Sequence, residues 1–308
     1  PALQAWAADT FPQRPLRLVI SVPPGGAADF TGRVVAAKLA EFLGQNVVVE
    51  GRPGAGGIIA SVYVTGTTPD GYTLMLTSST THGAAPVLYK KLPYDAMKGF
   101  THIGGVSLIP AMMAINAEVP AKTVKDFIAL TKANPGKYMF SSSGNGSAPQ
   151  LFGEGFKIKT GAMMTHVPYK GSGPAVIDLA AGQVHMMMDG LPSLIGQIKA
   201  GRLRALAAMS DKRFSIFPDV PTMAEAGYPG LEDGVWYGLS GPAGIPRPIV
   251  DQLYKVIQRV LASPDVVERF ATVGSYPMAI GPKEYEAFIL KENKKWGEIV
   301  RISGASAD

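Results

Sequence analysis

The sequence predicts an α/β protein arranged in two lobes, with parallel strands joined by crossover helices. Apolar, β-rich runs alternate with helix-patterned segments along most of the chain. A length of 308 residues suits two lobes or one large α/β unit, at about 100–200 residues per domain. From Pro246 onward the pattern is nearly all helical, so the tail is available to complete the lobe in which the chain starts.

Each element has its own signal. Leu16 to Val22 reads as a buried strand, and Asp29 to Leu43 as a helix with Phe30, Val34, Leu39 and Phe42 at helical spacing and Gly44 as its stop. Asn46 to Glu50 and Thr73 to Ser78 are two further strands, each running into a loop of glycine, serine or threonine. After the strand Ala111 to Asn116, Thr123 opens a helix with Asp126 three positions later, a capping-box spacing. A strand ending at Ser142, a Gly/Ser loop and a helix from about Ala148 follow. Val184 to Met188, Arg204 to Met209 and Val235 to Ser240 are strand-like, and Met186 to Met188 read as core. Helices fit Pro246–Ala262, Pro264–Val273 and Pro282–Ile302, each opened by a proline suited to a first turn. Two crossings between lobes explain this order: residues 8–116 with 234–308 form one lobe, and 117–233 the other.

The totals exclude several function classes. With no cysteine, disulfides, thiolate metal sites and cysteine nucleophiles are impossible. His82, His102, His166 and His185 are not paired with another His or Glu at a zinc-like spacing, and no metal or other cofactor is expected. The formal net charge is +5, but the basic residues are scattered, whereas a nucleic-acid partner calls for a concentrated patch. No run approaches the ~20 apolar residues of a spanning helix. Ala5-Trp6-Ala7 fits the small-x-small rule of signal peptidase, so residues 1–7 are expected to be an export-signal remnant, with the mature chain starting near Ala8.

Three strand-to-helix junctions are candidates for chemistry. Pro23-Pro24-Gly25-Gly26-Ala27-Ala28-Asp29 is either a tight turn or an anion site, because glycines admit close backbone approach and the helix behind adds a positive end. Asp29 would repel an anion; capping its own helix is its expected work, with a water-mediated ligand contact second. Ser141 to Pro149 offers hydroxyls and a helix start but departs from a dinucleotide fingerprint, since Pro149 replaces the third glycine and the acidic ribose partner is missing. Ser78-Ser79-Thr80-Thr81-His82 lacks a nucleophile elbow and any acid spaced to serve His82, so it reads as a ligand-contacting or solvated loop. Val167 to Pro174 is another strand exit, and Asp189 ends an apolar run where a carboxylate either faces a cleft or is capped and structural.

The segments VPPGGAADFTGR (22–33), EGRPGAGGIIA (50–60), PDGYTLMLTSS (69–79), VPYKGSGPA (167–175), FPDVPTMAEAGYPG (217–230) and VWYGLSGPAGIP (235–246) together closely resemble the Bug family of periplasmic receptors for tripartite tricarboxylate transporters. The likeness runs from about Pro15 to the C-terminal helices. It implies a two-lobed periplasmic-binding-protein fold of type II-like form, with a ligand cleft between the lobes and two hinge crossover strands. It also implies a monomeric, periplasmic, non-enzymatic receptor that carries a small carboxylate to membrane transporter subunits. Such ligands are held mainly by backbone amides and hydroxyls at helix N-termini. Carried over by motif, Pro24, Gly25, Gly26, Ala27, Ala28 and Asp29 would meet one carboxylate, with Ser79, Thr80 and Thr81 beside them. Ser142, Gly146, Ser147 and Ala148 would hold the other end, and Tyr169, Lys170, Gly171 and Asp189 would complete that wall.

One departure is Gln150, which stands where many relatives place His and so bears on ligand preference. Phe30 would either stack on the ligand or belong to the core. The rival function is an α/β enzyme acting on a small carboxylate or nucleotide, which needs a nucleophile–base pair or phosphate loop that the sequence lacks. Which acid is carried stays open among C4 diacids, longer diacids, aromatic acids and amino acids. An acidic residue facing the ligand would favour an amino acid, and an apolar one an aromatic or long-chain diacid.

Overall fold

A computed structural model of the chain describes residues 11–306; the expected signal remnant at 1–7 lies outside them. The chain opens with β1 (Leu16–Ile20), α1 (Ala27–Leu43), β2 (Val47–Gly51), α2 (Ile58–Thr65), β3 (Thr73–Ser78) and the short α3 (Ala85–Leu88). β1 is central, parallel to β2 on one side and β3 on the other, and Leu16, Leu18, Val19 and Ile20 are all buried. A strand covered on both faces reads as a continuous apolar run. α1 begins two residues earlier than its pattern suggested, at Ala27, and stops at Gly44 in the left-handed conformation (φ 64°).

A long strand, β4 (Phe100–Asn116), follows. Sequence alone marked only its last third, because Gly104, Gly105 and register shifts against its partner break the pattern of the rest. Phe100 to Pro110 pair antiparallel with β9 (Gly234–Pro242), which in turn pairs with β3. From Ala111 onward β4 changes partners and lies between β7 (Met186–Gly190) and β8 (Leu203–Met209). β4 is therefore the strand that pairs in both groups, and the chain returns to the first group through β9.

The second group contains α4 (Val124–Ala133), β5 (Met139–Ser142), α5 (Ala148–Thr160), β6 (Thr165–Pro168), α6 (Ser172–Ala180) and α7 (Leu191–Lys199). Thr123 and Asp126 form the expected reciprocal capping box on α4. β5 pairs parallel with β6 and β7. Met186, Met187 and Met188 are buried, as expected of core. The tail supplies α8 (Arg247–Ala262), α9 (Pro264–Ala271), β10 (Tyr276–Pro277) and α10 (Pro282–Ser303). α10 touches both groups: Asn293 donates to the carbonyls of His82 and Gly83 at 2.7 and 2.8 Å, and Trp296 meets Phe152 of α5 edge-on.

Candidate functional site

A cavity of about 690 Å³ opens between the two strand groups, lined by the loops that leave the C-terminal ends of β1, β2, β3, β5 and β6, by Asp189 of β7, and by Val235 and Tyr237 of β9. This is where ligands sit in parallel α/β sheets, since the βα loops converge there.

The first wall is the start of α1. Its N-cap Gly26 offers no side-chain cap, so the first-turn amides of Ala27 and Ala28 have no intrahelical partner, and both residues line the cavity with Pro24 and Gly26. Asp29 turns the other way: its carboxylate accepts from the Gly25 amide (3.1 Å) and from Arg33 Nε (2.8 Å). That fastens the turn and neutralises the charge, leaving an anion-ready helix end. Phe30 packs toward Phe270 with ring centroids 6.4 Å apart and belongs to the core face of α1.

The second wall is where the sequence suggested a loop and the structure has a π-helical turn, Ser79–Ala84. Ser78 and Thr81 cap it reciprocally through side chain and backbone. Ser79 and Thr80 line the cavity, while Thr81 is spent on this cap and on His82 Nδ1 (3.0 Å). His82 is fully buried, and burial, with His102 nearby, holds its imidazole well below the ordinary range. It serves the packing under the site. Gly57, at φ 90°, lies against this turn so closely that a Cβ would come within 2.5 Å of Thr81 Cγ2; only glycine fits.

The third wall comes from the second strand group. In the Gly/Ser loop, Ser143, Gly144, Asn145 and Ser147 reach the cavity. Ser142 is engaged inside the loop, at 2.7 Å from His166 Nε2 and 3.1 Å from the Gly144 carbonyl. The Gly146 amide donates to Gln150 Oε1 (2.8 Å), and the Ala148 amide donates to Thr80 Oγ1 (3.2 Å). Gln150 thus braces its own loop and is not part of the lining. Tyr169, Lys170 and Gly171 follow β6 on the same wall; the Tyr169 phenol donates to Asp178 (2.8 Å) and is pushed up to about 12 by burial and that bond.

At the floor is Asp189, 3% exposed. Its Oδ1 accepts from the Gly190 amide at 2.7 Å, and Oδ2 has no hydrogen-bond partner. Burial pushes this carboxyl up to about 6, opposed by the nearby Ser172 hydroxyl, the Gly190 amide and the Ser193 hydroxyl. Neither serine hydroxyl is within hydrogen-bond geometry of Oδ2.

Of the residues named from the sequence, Pro24, Gly26, Ala27, Ala28, Ser79, Thr80, Ser147, Tyr169, Lys170, Gly171 and Asp189 line the cavity, whereas Gly25, Asp29, Thr81, Ser142, Gly146 and Ala148 lie outside its lining. The lining also contains Ser21, Pro53 to Gly57, Tyr89, Asn145, Val235 and Tyr237, to which no site role was given. The 53–57 stretch carried a signal, a Pro/Gly run directly after a strand. Tyr237 carried none, since alternation in β9 does not say which face meets a cleft.

Residues 31–304 match the model of the tripartite tricarboxylate transporter family receptor. The chain belongs to this family. BugT of Bordetella pertussis strain Tohama I is 38% identical over 300 residues, covering 97% of this chain and 92% of that protein. Among solved structures, the periplasmic binding protein BugD superposes with a TM-score of 0.90 at 34% identity, covering 96% of this chain and 99% of that one. An R. palustris protein solved with adipate gives 0.93 at 32%, with 96% and 99% covered, and MatC of Rhodopseudomonas palustris, solved with bound malate, gives 0.89 at 31%, with 94% and 100% covered. The two-lobed periplasmic-binding fold and the Bug-type receptor class expected from the motifs are therefore established. No described helix is long and apolar enough to cross a membrane.

Proposed function

We propose that this family receptor works in the periplasm, captures a small carboxylate by closure of its two lobes, residues 8–116 with 234–308 and residues 117–233, and presents it to membrane transporter subunits without chemical turnover. The uncapped N-terminus of α1, open to a cavity that also holds Lys170 from the other strand group, carries this reading. Backbone amides and one ammonium complement a carboxylate from two sides. Bridging both lobes, the ligand binds the closed form preferentially and shifts the population toward it. Support for a carboxylate cargo comes from the relatives solved with adipate and malate. The residues proposed to touch the ligand are Gly26, Ala27, Ala28, Ser79, Thr80, Tyr169, Lys170, Gly171 and Asp189.

Native mass spectrometry of freshly purified protein, followed by a thermal-shift panel of diacids, aromatic acids and amino acids, tests this. A small acidic adduct, or a stabilising shift with a returned and unaltered ligand, is expected. No shift with any acid, or a chemically altered ligand after long incubation, overturns it.

A further inference from the structure

Resting on the carboxylate-receptor reading, we propose that Asp189 selects for an acid that carries a hydrogen-bond donor, an ammonium or a hydroxyl group, and selects against plain diacids. Asp189 lines the cavity, and its Oδ2 is buried without a partner, while Oδ1 is already held by the Gly190 amide. A buried carboxylate oxygen left without a donor is costly, and a ligand that supplies one recovers that cost on binding.

The surroundings fix where the ligand's own carboxylate goes. Asp189 lines the same cavity as Ala27 and Ala28, and the backbone at the neighbouring Gly190 runs so near α1 that a Cβ there would lie 3.6 Å from Ala27 Cβ. The free amides of that turn attract a carboxylate, and the adjacent Asp189 repels one. Ser79 Oγ, 1% exposed and likewise unpartnered, adds a hydroxyl that can donate to the same carboxylate. An acid with an amino or hydroxy group next to its carboxylate satisfies both neighbours. A plain diacid leaves Oδ2 unpaired or faces it with like charge.

The test is calorimetric titration of ligand-free wild type and Asp189→Asn with matched series: succinate, malate and aspartate; adipate, 2-hydroxyadipate and 2-aminoadipate; benzoate with its hydroxy and amino derivatives. Wild type is expected to bind the donor-bearing member of the best series ~10–100-fold more tightly than the plain acid, as hydrogen bonds to a charged group allow. Asp189→Asn should shrink that preference to a few-fold. Hydroxy and amino members of one series separate the two donor sources. If the plain acid binds wild type as tightly as its partners, or the preference survives in Asp189→Asn, the inference is wrong while the receptor reading stands. Affinity for a plain diacid that rises as the pH falls would assign Asp189 the opposite role, a protonated donor, and also overturn it. Failure of every acid to bind sinks the receptor reading and this inference together.

Discussion

The hydroxyl of Thr80, in the π-helical turn after β3, accepts a 3.2 Å hydrogen bond from the backbone N–H of Ala148, the first residue of α5. The bond joins the first strand group to the second beside the cavity that Thr80 lines. It satisfies one of the orphan amides at the start of α5, so the helix end is capped by a side chain from the opposite wall.

Removing that hydroxyl should loosen the link between the two strand groups. A neutral hydrogen bond contributes about 1 kcal/mol, so Thr80→Ala is expected to weaken ligand affinity about fivefold, and Thr80→Ser to retain it. Titration calorimetry reads the affinity. Small-angle scattering should show a larger radius of gyration for ligand-free Thr80→Ala than for wild type. Equal affinity and equal radius would mean that the contact does not contribute to closure.

Asp189 makes a stability prediction with a definite sign. Its carboxyl, raised by burial from 3.8 to about 6, prefers its proton in the folded state. The favourable contribution is fully present below the unfolded value and is lost as pH rises through about 6. At neutral pH the ionised group costs on the order of 3 kcal/mol. Ligand-free Asp189→Asn should therefore be more stable than wild type in urea unfolding at pH 7.5, and the gap should close by about pH 4. Tyr237 is the titratable neighbour coupled to Asp189, and burial together with Asp189 keeps its phenol protonated, so it adds no step in that window. A variant less stable than wild type at pH 7.5 would show that the carboxylate is compensated in the fold.

How far the sequence reached depends on whether a signal was local. The Thr123–Asp126 capping box, the strand Thr73–Ser78 and the stop at Gly44 are written within a few residues, and the structure has all three. The first two-thirds of β4 was not legible, because its pairing with β9 is broken by register shifts near Gly104 and Gly105. The π-helical turn at Ser79 was not legible as a helix either: its hydroxyls read as a ligand-contacting or solvated loop, and Ser79, Thr81 and His82 are in fact buried. In the site, glycine- and serine-rich strand exits marked positions, but not which polar groups are free. Gly146, Ala148 and Ser142 look equivalent to Ala27 and Ser79 in sequence, and only the three-dimensional partners Gln150, Thr80 and His166 show that the first three are engaged.

Lys170 stands on the cavity wall and is exposed. An ammonium a few ångströms from a carboxylate in a water-accessible setting is worth about 1 kcal/mol. Lys170→Gln is expected to weaken binding of the cargo acid about fivefold, and to flatten its salt dependence between low and physiological ionic strength. Calorimetric titrations at two salt concentrations measure both. A variant with unchanged affinity and unchanged salt response would place the ligand out of reach of this side chain.

The crossover into β9 is held by a compact charge cluster. Lys295 of α10 lies 3.0 Å from Asp233 Oδ1 and 2.8 Å from Glu292 Oε1. The Trp236 indole donates to Glu292 at 3.0 Å, and the Trp296 indole reaches Asp233 at 3.4 Å. Burial holds the Asp233 carboxyl above its ordinary range, with Lys295 opposing. For Lys295, burial lowers the ammonium's pKa, but Asp233 and Glu292 outweigh it and hold the group above its ordinary range. One ammonium thus serves two poorly solvated carboxylates at the residue where the Ala111 amide of β4 also docks, on the Asp233 carbonyl (3.0 Å). Removing a single partner of a buried pair leaves uncompensated charge, but the Lys295 side chain is 39% exposed, so solvent screening reduces the loss to about 2 kcal/mol. Lys295→Met should lower stability by that amount in urea unfolding, and the second change Asp233→Asn should restore part of it, because one of the stranded charges is gone. If the double variant is no more stable than Lys295→Met, the cluster stabilises β9 through packing against the two tryptophans, with charge pairing playing no part.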